Sequence, residues 1–269
     1  MEEVVSVGNL PLGGKVSMVT GSGRGLGREY ALHLASLGSD VVVHDIDEQA
    51  PARFGEAKSL TETVQTIERM GRRALAVTAD LTQADQVDTC VRRVLEHFQH
   101  IDVLVNNAGG DIGKVDPRPD PNDGVHIKAE DAEWVIAINL TATVHMCRAV
   151  APHMMERRSG RIINVSSGAA AVPTQVGVIY AAAKAGIEHY TRCLARQLKA
   201  YDVTVNAIAP GATVGGRFLA TREVAPEALA KTEGLSRLGR PKDLAKVIEF
   251  LASPLADYVS GQIIGVNGG

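Results

Sequence analysis

Cysteine, charge of one sign and long apolar runs are all scarce in this chain of 269 residues. Its three cysteines, Cys90, Cys147 and Cys193, lie far apart with no C-x-x-C pair. That spacing argues against a disulfide framework or a thiolate zinc site and predicts buried thiols in a reducing, cytoplasmic setting. Lys and Arg number 28 against 31 Asp and Glu, for a formal net charge of −3, so the basic footprint of a nucleic-acid binder is missing. No apolar segment reads as long enough to span a bilayer, and MEEVVSVGNLPLGGK carries acid where a signal peptide needs base, so neither membrane insertion nor export is expected.

Metal-ligand patterns are equally thin. His97 and His100 have helical spacing but end an amphipathic stretch, which predicts an ordinary surface. Asp116, Asp120 and Asp123 lack the ligand pattern and closing Glu of a calcium loop, and proline-rich turn chemistry accounts for them. No internal repeat and no Pro/Gly/Ser-rich linker divides the chain. Residues 1–14 are read as a short extension and 15–269 as one domain.

What is present is an alternation of short apolar runs with helical patterns. Strands are expected near 15–19, 40–44, 74–78, 101–105, 161–165, 204–209 and 262–266, and the intervening helices predict an α/β fold with parallel strands. The first run, Lys15-Val-Ser-Met-Val19, leads into Thr20-Gly-Ser-Gly-Arg-Gly-Leu-Gly27 and then a helical stretch, Arg28 to Leu37. Strand, glycine turn and helix together make a pyrophosphate site, because glycine lets backbone N–H groups approach the anion at a helix N-terminus. Gly21, Gly25 and Gly27, with Gly23 between, depart from the commoner G-x-G-x-x-G spacing. The second run, Val41-Val-Val-His44, ends in Asp45, where a carboxylate would accept hydrogen bonds from an adenosine ribose.

Tyr180 and Lys184 stand four apart in YAAAKAG, and Ser167 lies thirteen residues before the tyrosine in INVSSG. Residues four apart share a helix face, so the Lys184 ammonium is expected beside the Tyr180 phenol, favouring its ionised form. A phenol so tuned exchanges a proton with an alcohol or carbonyl oxygen, which Ser167 would reach from a strand end.

TGSGRGLG, Asp80-Leu81, Asn106-Asn-Ala-Gly109, Asn139, Ser167, Tyr180-x-x-x-Lys184 and Pro210-Gly211 together resemble the short-chain dehydrogenase/reductase family, over almost the whole chain. The β-ketoacyl-carrier-protein reductases and the secondary-alcohol and sugar dehydrogenases look nearest. The resemblance implies a single-domain Rossmann-type doubly wound sheet of seven parallel strands in the order 3-2-1-4-5-6-7. It implies cofactor contacts from Gly21, Ser22, Arg24, Gly25, Leu26, Gly27, Asp45, Asp80, Leu81, Asn107, Tyr180, Lys184, Pro210 and Gly211. It also implies catalysis by Tyr180 as general acid/base, Ser167 on the reacting oxygen, Lys184 beside the nicotinamide ribose, and Asn139 holding water in a proton relay. Ser166 is the rival to Ser167, and the family spacing selects Ser167. Where the family often has Thr four residues beyond the Gly of the Pro210-Gly211 turn, this chain has Gly215, so that contact is either missing or supplied by Thr213.

Asp45 and Arg24 pull cofactor choice in opposite directions. Asp45 opposes an added 2′-phosphate and Arg24 favours it; NAD is the reading preferred over NADP, since Arg24 is free to turn aside. The expected substrate is a small polar secondary alcohol or its ketone. The alternatives are a 3-oxoacyl-thioester reductase using NADPH, or a non-catalytic dinucleotide-binding sensor or scaffold. The segments after Gly109 and from Ala212 to Arg237 are expected to line the substrate pocket; the first is roughly ten residues longer than in compact relatives, a length that often signals function. His126 in that insertion reads as a surface residue. Self-association as a homodimer or homotetramer is expected through the stretches around Ala142–Arg158 and Ala181–Ala200.

Overall fold

Alternate residues of each apolar run point to opposite faces of a strand, so a sheet with helices on both sides needs runs that are apolar throughout. The computed structural model describes residues 10–111 and 124–269 and has that construction. Seven strands, β1 (Val16–Val19), β2 (Asp40–Asp45), β3 (Ala74–Thr78), β4 (Val103–Asn106), β5 (Gly160–Val165), β6 (Val203–Pro210) and β7 (Ile263–Val266), form one sheet. Every pairing is parallel, in the order 3-2-1-4-5-6-7.

The crossovers are α1 (Gly25–Ser36), α2 (Leu60–Arg69), α3 (Ala84–Phe98), α4 (Ala129–Ile136), α5 (Ala142–Arg157), α6 (Val178–Leu198), the short α7 (Gly216–Thr221) and α8 (Pro226–Ala230), and α9 (Pro241–Ala252). Helices α1, α2 and α9 bury Leu34, Ile67 and Ile248 with Val41, Val43, Val103 and Val105 on one face. Helices α3, α5 and α6 bury Val94, Met146 and Leu198 with Val42, Leu104 and Ile162 on the other. Neighbouring strand residues thus enter different cores.

Three expectations need correction. Leu12 is buried among Val19, Leu34 and Val41, and its N–H donates to Leu37 O at 2.9 Å. The packed unit therefore begins before residue 15, and residues 10–14 belong to it; residues 1–9 lie outside the described part. Helices α4 and α5 run on through a π-helical turn, Ala137–Thr141, and this stretch, Ala129–Arg157, is long and apolar enough by length and composition to cross a membrane. Its Val135, Met146, Val150 and Met154 are buried inside the domain, which is what a core helix needs its apolar face for. Cys193 is exposed on α6, whereas Cys90 and Cys147 are buried as expected.

Leu12→Ala should destabilise the protein by about 2–5 kcal/mol, the range for emptying a buried leucine site. Denaturant unfolding checks this, and a change under 0.5 kcal/mol, as for an ordinary surface substitution, would place Leu12 outside the cooperative unit.

Candidate active site

Chain leaves β1 toward β2 on one side and β4 toward β5 on the other, so the loops after β1 and β4 diverge at a topological switch point and a crevice opens at the strand ends. A cleft of about 900 Å³ lies there. Its floor is the glycine turn. Gly21 and Gly25 have φ of 62° and 59°, a left-handed conformation that glycine adopts without strain. A Cβ at Gly27 would strike Gly21 O, so the first turn of α1 rests directly on the loop.

Gly21, Arg24, Gly25, Leu26 and Gly27 all line the cleft. Ser22 does not. It is wholly buried, its hydroxyl donates to Val19 O at 2.7 Å and accepts from His44 N–H at 3.0 Å, and its own N–H donates to His44 O. Ser22 therefore ties β1 to β2 from behind the loop instead of facing a ligand. His44 completes that support by accepting the Gly21 N–H at Nδ1, 3.3 Å away, and burial holds its pKa down at about 4, so the ring is neutral.

Asp45 closes β2 at the cleft wall, with Oδ1 accepting the Ile46 N–H at 2.9 Å; burial raises its pKa. The Arg24 guanidinium stacks 4.5 Å from the Phe54 ring centroid, and burial lowers its pKa while Asp45 supports its charge. Asp80 and Leu81 line the same half; the Asp80 carboxylate takes both the Thr82 N–H and its hydroxyl, an Asx-type turn. Asn107 faces the cleft while its Nδ2 donates to Thr20 O and Gly21 O. Pro210, Gly211 and Thr213 line the far wall, and the Thr213 hydroxyl donates to Gly211 O at 3.0 Å.

Ser167, Tyr180 and Lys184 converge at the opposite end from Asp45, on one cleft wall. Ser167 follows β5 and caps the turn Gly168–Ala170, accepting the Ala169 N–H at 3.2 Å. Its hydroxyl also hydrogen-bonds the Tyr180 phenol, favouring the phenolate. Burial nevertheless dominates and raises the Tyr180 pKa, and Asp111 adds to the rise. Lys184 donates to Val165 O at 2.8 Å and lies 5.5 Å from the Tyr180 ring centroid. Burial, helped by Arg217, lowers its pKa to about 7. The expected ammonium pulling the phenol down is thus not the arrangement here: shared helix face is confirmed, but the amine is held by β5.

Asn139 is also placed differently from the expectation. It sits fully buried in the π-helical turn, with Oδ1 accepting Gly110 N–H at 3.0 Å and Nδ2 donating to Gly110 O and Val135 O at 2.8 Å. Its amide is spent on the loop after β4, so it positions Gly110 and does not line the cleft. Ser166 is buried too, its hydroxyl shared between Lys184 O and Glu188 Oε1.

The segment from Ala212 does line the pocket, through Thr213, Gly215, Gly216, Arg217, Phe218 and Arg222. Arg217 donates to Gly109 O at 2.9 Å, and Arg222 pairs with Asp111. Sequence reasoning named none of Glu56, Asp111, Trp134, Arg217 and Arg222 as site residues; only the enclosing segments of Asp111, Arg217 and Arg222 carried a signal. Of the long insertion, residues 112–123, with Asp116, Asp120 and Asp123, lie outside the described part, and His126 is exposed. Among the described residues no group of His, Cys, Asp or Glu could hold a metal.

A glycine cradle at a helix start, a carboxylate at the end of β2 and a lysine beside a tyrosine fit a nicotinamide dinucleotide. Comparison with known proteins agrees. The family model described as short chain dehydrogenase matches residues 15–226. A cyclohexanol dehydrogenase of Rhodococcus sp. (strain TK6) is 42% identical over 267 residues, covering 97% of each chain. A 3-oxoacyl-[acyl-carrier-protein] reductase of Synechocystis sp. is 37% identical over 259 residues, covering 95% of this chain and 96% of that one. Among solved structures, a 7α-hydroxysteroid dehydrogenase complexed with NADH and 7-oxo glycochenodeoxycholic acid superposes with a TM-score of 0.84 at 32% identity, over 97% of this chain and 96% of that one. The chain belongs to the short-chain dehydrogenase family, whose members are oxidoreductases acting on CH–OH groups with a nicotinamide dinucleotide.

The Lys184 shift has a stability consequence. Its amine binds a proton more weakly folded, at about 7, than unfolded, near the ordinary 10.5, so the folding cost of burying the charge is full below about pH 7 and is relieved as pH rises toward 10.5. Cofactor-free Lys184→Met should therefore be more stable than the parent protein at pH 6, with the difference shrinking by pH 10. Urea midpoints at the two pH values check this, and a gap independent of pH would show that Lys184 is not buried as an ionisable amine.

Proposed function

We propose that the chain is an NAD-linked dehydrogenase that interconverts a small polar secondary alcohol and its ketone. The observation that carries the reading is the convergence of Ser167, Tyr180 and Lys184 at one end of the cleft, with Ser167 bonded to the phenol. A nicotinamide dinucleotide held by the glycine turn, Asp45 and Lys184 would supply the acceptor for the carbinol hydride in oxidation and its donor in reduction. Tyr180 removes the alcohol proton in oxidation and supplies it to the carbonyl oxygen in reduction. Ser167 donates to that oxygen, and its bond to the phenol aligns the two groups beforehand. Lys184, on the cleft wall beside Tyr180, would hold the nicotinamide ribose. Asn139 acts at one remove, by fixing Gly110 beside the reacting end.

NAD is preferred in this reading because Asp45 meets a 2′-phosphate with like charge, while Arg24 lies against Phe54 and beside Asp45. The relatives named 3-oxoacyl-[acyl-carrier-protein] reductase support a second reading, reduction of a 3-oxoacyl thioester with NADPH. Self-association as a dimer or tetramer belongs to the proposal through the family, and exposed Leu255 and Tyr258 after α9 offer apolar surface for it. A reducing cytoplasmic setting is supported by three free thiols.

Initial rates with NAD and NADP on simple alcohols, polyols, hydroxy acids and 3-oxoacyl thioesters test the reading. Tyr180→Phe should lower kcat by about 10²–10⁴, the general acid/base share, and leave cofactor Kd within twofold. Unchanged turnover would remove Tyr180 from the chemistry, and cofactor binding without turnover of any substrate would favour the sensor or scaffold reading. Asp45→Ser should narrow the preference for NAD over NADP in Kd; an unaltered ratio would show that Asp45 does not set it.

A further inference from the structure

Backbone N–H groups of a glycine turn attract an anion, and a carboxylate standing beside them opposes it. This turn has such a neighbour, because a Cβ at Gly25 would meet Glu56 Oε2 at 3.6 Å. Glu56 is fixed there by the Gly216 N–H on its Oε1. The segment that holds the carboxylate also brings a cation. Positions 215 and 216 have no side chains, so the next one to line the cleft after Thr213 is Arg217. Contacts on two sides fix where its guanidinium lies. Gly21, at one end of the turn, abuts the loop after β4, where a Cβ would sit 3.1 Å from Ala108 Cα, and the next carbonyl, Gly109 O, accepts Arg217 Nη1 at 2.9 Å. A Cβ at Gly110 would strike the same guanidinium. Gly25, at the other end, abuts Glu56, which binds the residue before Arg217. Helix α7 also packs on Ala50–Phe54, whose Phe54 ring carries the Arg24 guanidinium. Arg217 is thus held among the groups that border the phosphate-binding turn. Its charge lowers the pKa of Arg24 on that turn and of Lys184 at the reacting end, and an anion seated among these cations relieves their repulsion.

We infer that Arg217 binds the diphosphate of the nicotinamide dinucleotide, which is then held between the glycine turn and a guanidinium. A planar guanidinium matches phosphate oxygens two at a time, and its charge offsets that of Glu56. Arg217 in this way supplies an anchor from a segment whose position 215 has no side chain to offer. The inference rests on the cleft being a dinucleotide site, and on neither the substrate nor the choice between NAD and NADP.

Arg217→Met removes the charge and keeps an unbranched side chain. Calorimetric titration with ADP-ribose, which holds the diphosphate and lacks nicotinamide, should show Kd rising about tenfold in the variant, equivalent to about 1.4 kcal/mol. NADH should weaken by the same factor. Adenosine, which has no phosphate, should bind the two proteins within about twofold of each other. Arg217→Lys keeps the charge and should recover part of the loss.

Equal weakening of adenosine, or no recovery in Arg217→Lys, would make Arg217 a prop for the loop at Gly109 and overturn the contact. Unchanged binding of ADP-ribose overturns it as well: with NADH weakened, the guanidinium serves the nicotinamide half, and with KM raised for a hydroxy acid alone, it takes a substrate carboxylate. Tighter binding of ADP-ribose to Arg217→Met would show that the guanidinium blocks the diphosphate site. Because binding is read without turnover, failure of the alcohol–ketone reading would leave the expected result standing.

Discussion

Thr20 and Asn107 join the two loops that diverge at the switch point, and the cleft depends on that junction. Thr20 Oγ1 accepts the N–H groups of Asn107 and Ala108, both at 3.0 Å, while Asn107 Nδ2 returns bonds to Thr20 O at 3.0 Å and Gly21 O at 3.1 Å. Strand ends that part company leave backbone groups without ladder partners, and an apolar side chain at either position would leave several of them unmet. The junction fixes Gly21 against Asn107, Gly21 fixes the first turn of α1 through its contact with Gly27, and the loop after β4 continues to Gly110, where Asn139 takes over. One polar pair thus sets the positions of both the phosphate-binding turn and the loop beside the reacting end.

Beneath the reacting end a second polar layer ties the helices to the sheet. Asn106 Nδ2 donates to Asn164 Oδ1 at 2.9 Å, Asn164 Nδ2 donates to Thr191 Oγ1 at 2.9 Å, and Thr191 returns a bond to Ile187 O. β4, β5 and α6 are therefore registered by directional bonds as well as by apolar packing, which alone would tolerate small slides. Tyr180 and Lys184 ride on α6, and Ser167 follows β5, so this layer sets the distance between the serine hydroxyl and the phenol.

The sheet was legible in the sequence because a parallel strand buried on both faces must be apolar at consecutive positions, as Val41-Val-Val43 and Val103-Leu-Val105 are. The glycine turn was legible for a different reason: left-handed backbone at Gly21 and Gly25 and close approach at Gly27 each demand the same residue type. Roles that depend on which way a side chain turns were not. Ser22 and Asn139 sit in motif positions yet point into the protein, and Lys184 shares the Tyr180 face yet is claimed by the Val165 carbonyl. Leu12 was hidden because the stretch Leu10-Pro-Leu-Gly-Gly14 is too short and too interrupted to show a period. Asp111 and Arg222 meet across 111 positions of chain, a pairing that no local pattern encodes.

Glu56 connects the cofactor half of the cleft to the substrate half. It follows the short helical turn Ala50–Phe54 after β2, on the wall that carries Arg24 and Asp45, and its Oε1 accepts the Gly216 N–H at the start of α7, 2.7 Å away. Gly215, just before, is extended, at φ −168° and ψ 167°, so its lack of a side chain is not demanded by backbone strain. What the site does require is room at Gly216, where a Cβ would fall 2.8 Å from the Glu56 Cγ and Cδ atoms. The carboxylate thereby fixes the base of the segment that brings Arg217 to Gly109 and Arg222 to Asp111. Because Arg217 also lowers the Lys184 pKa, a shift of α7 alters the charge at the reacting end as well as its shape. The wall nearest the adenosine site and the proton chemistry at Tyr180 are consequently parts of one mechanical and electrostatic unit, joined through the hydrogen bond from Gly216 N–H to the Glu56 carboxylate.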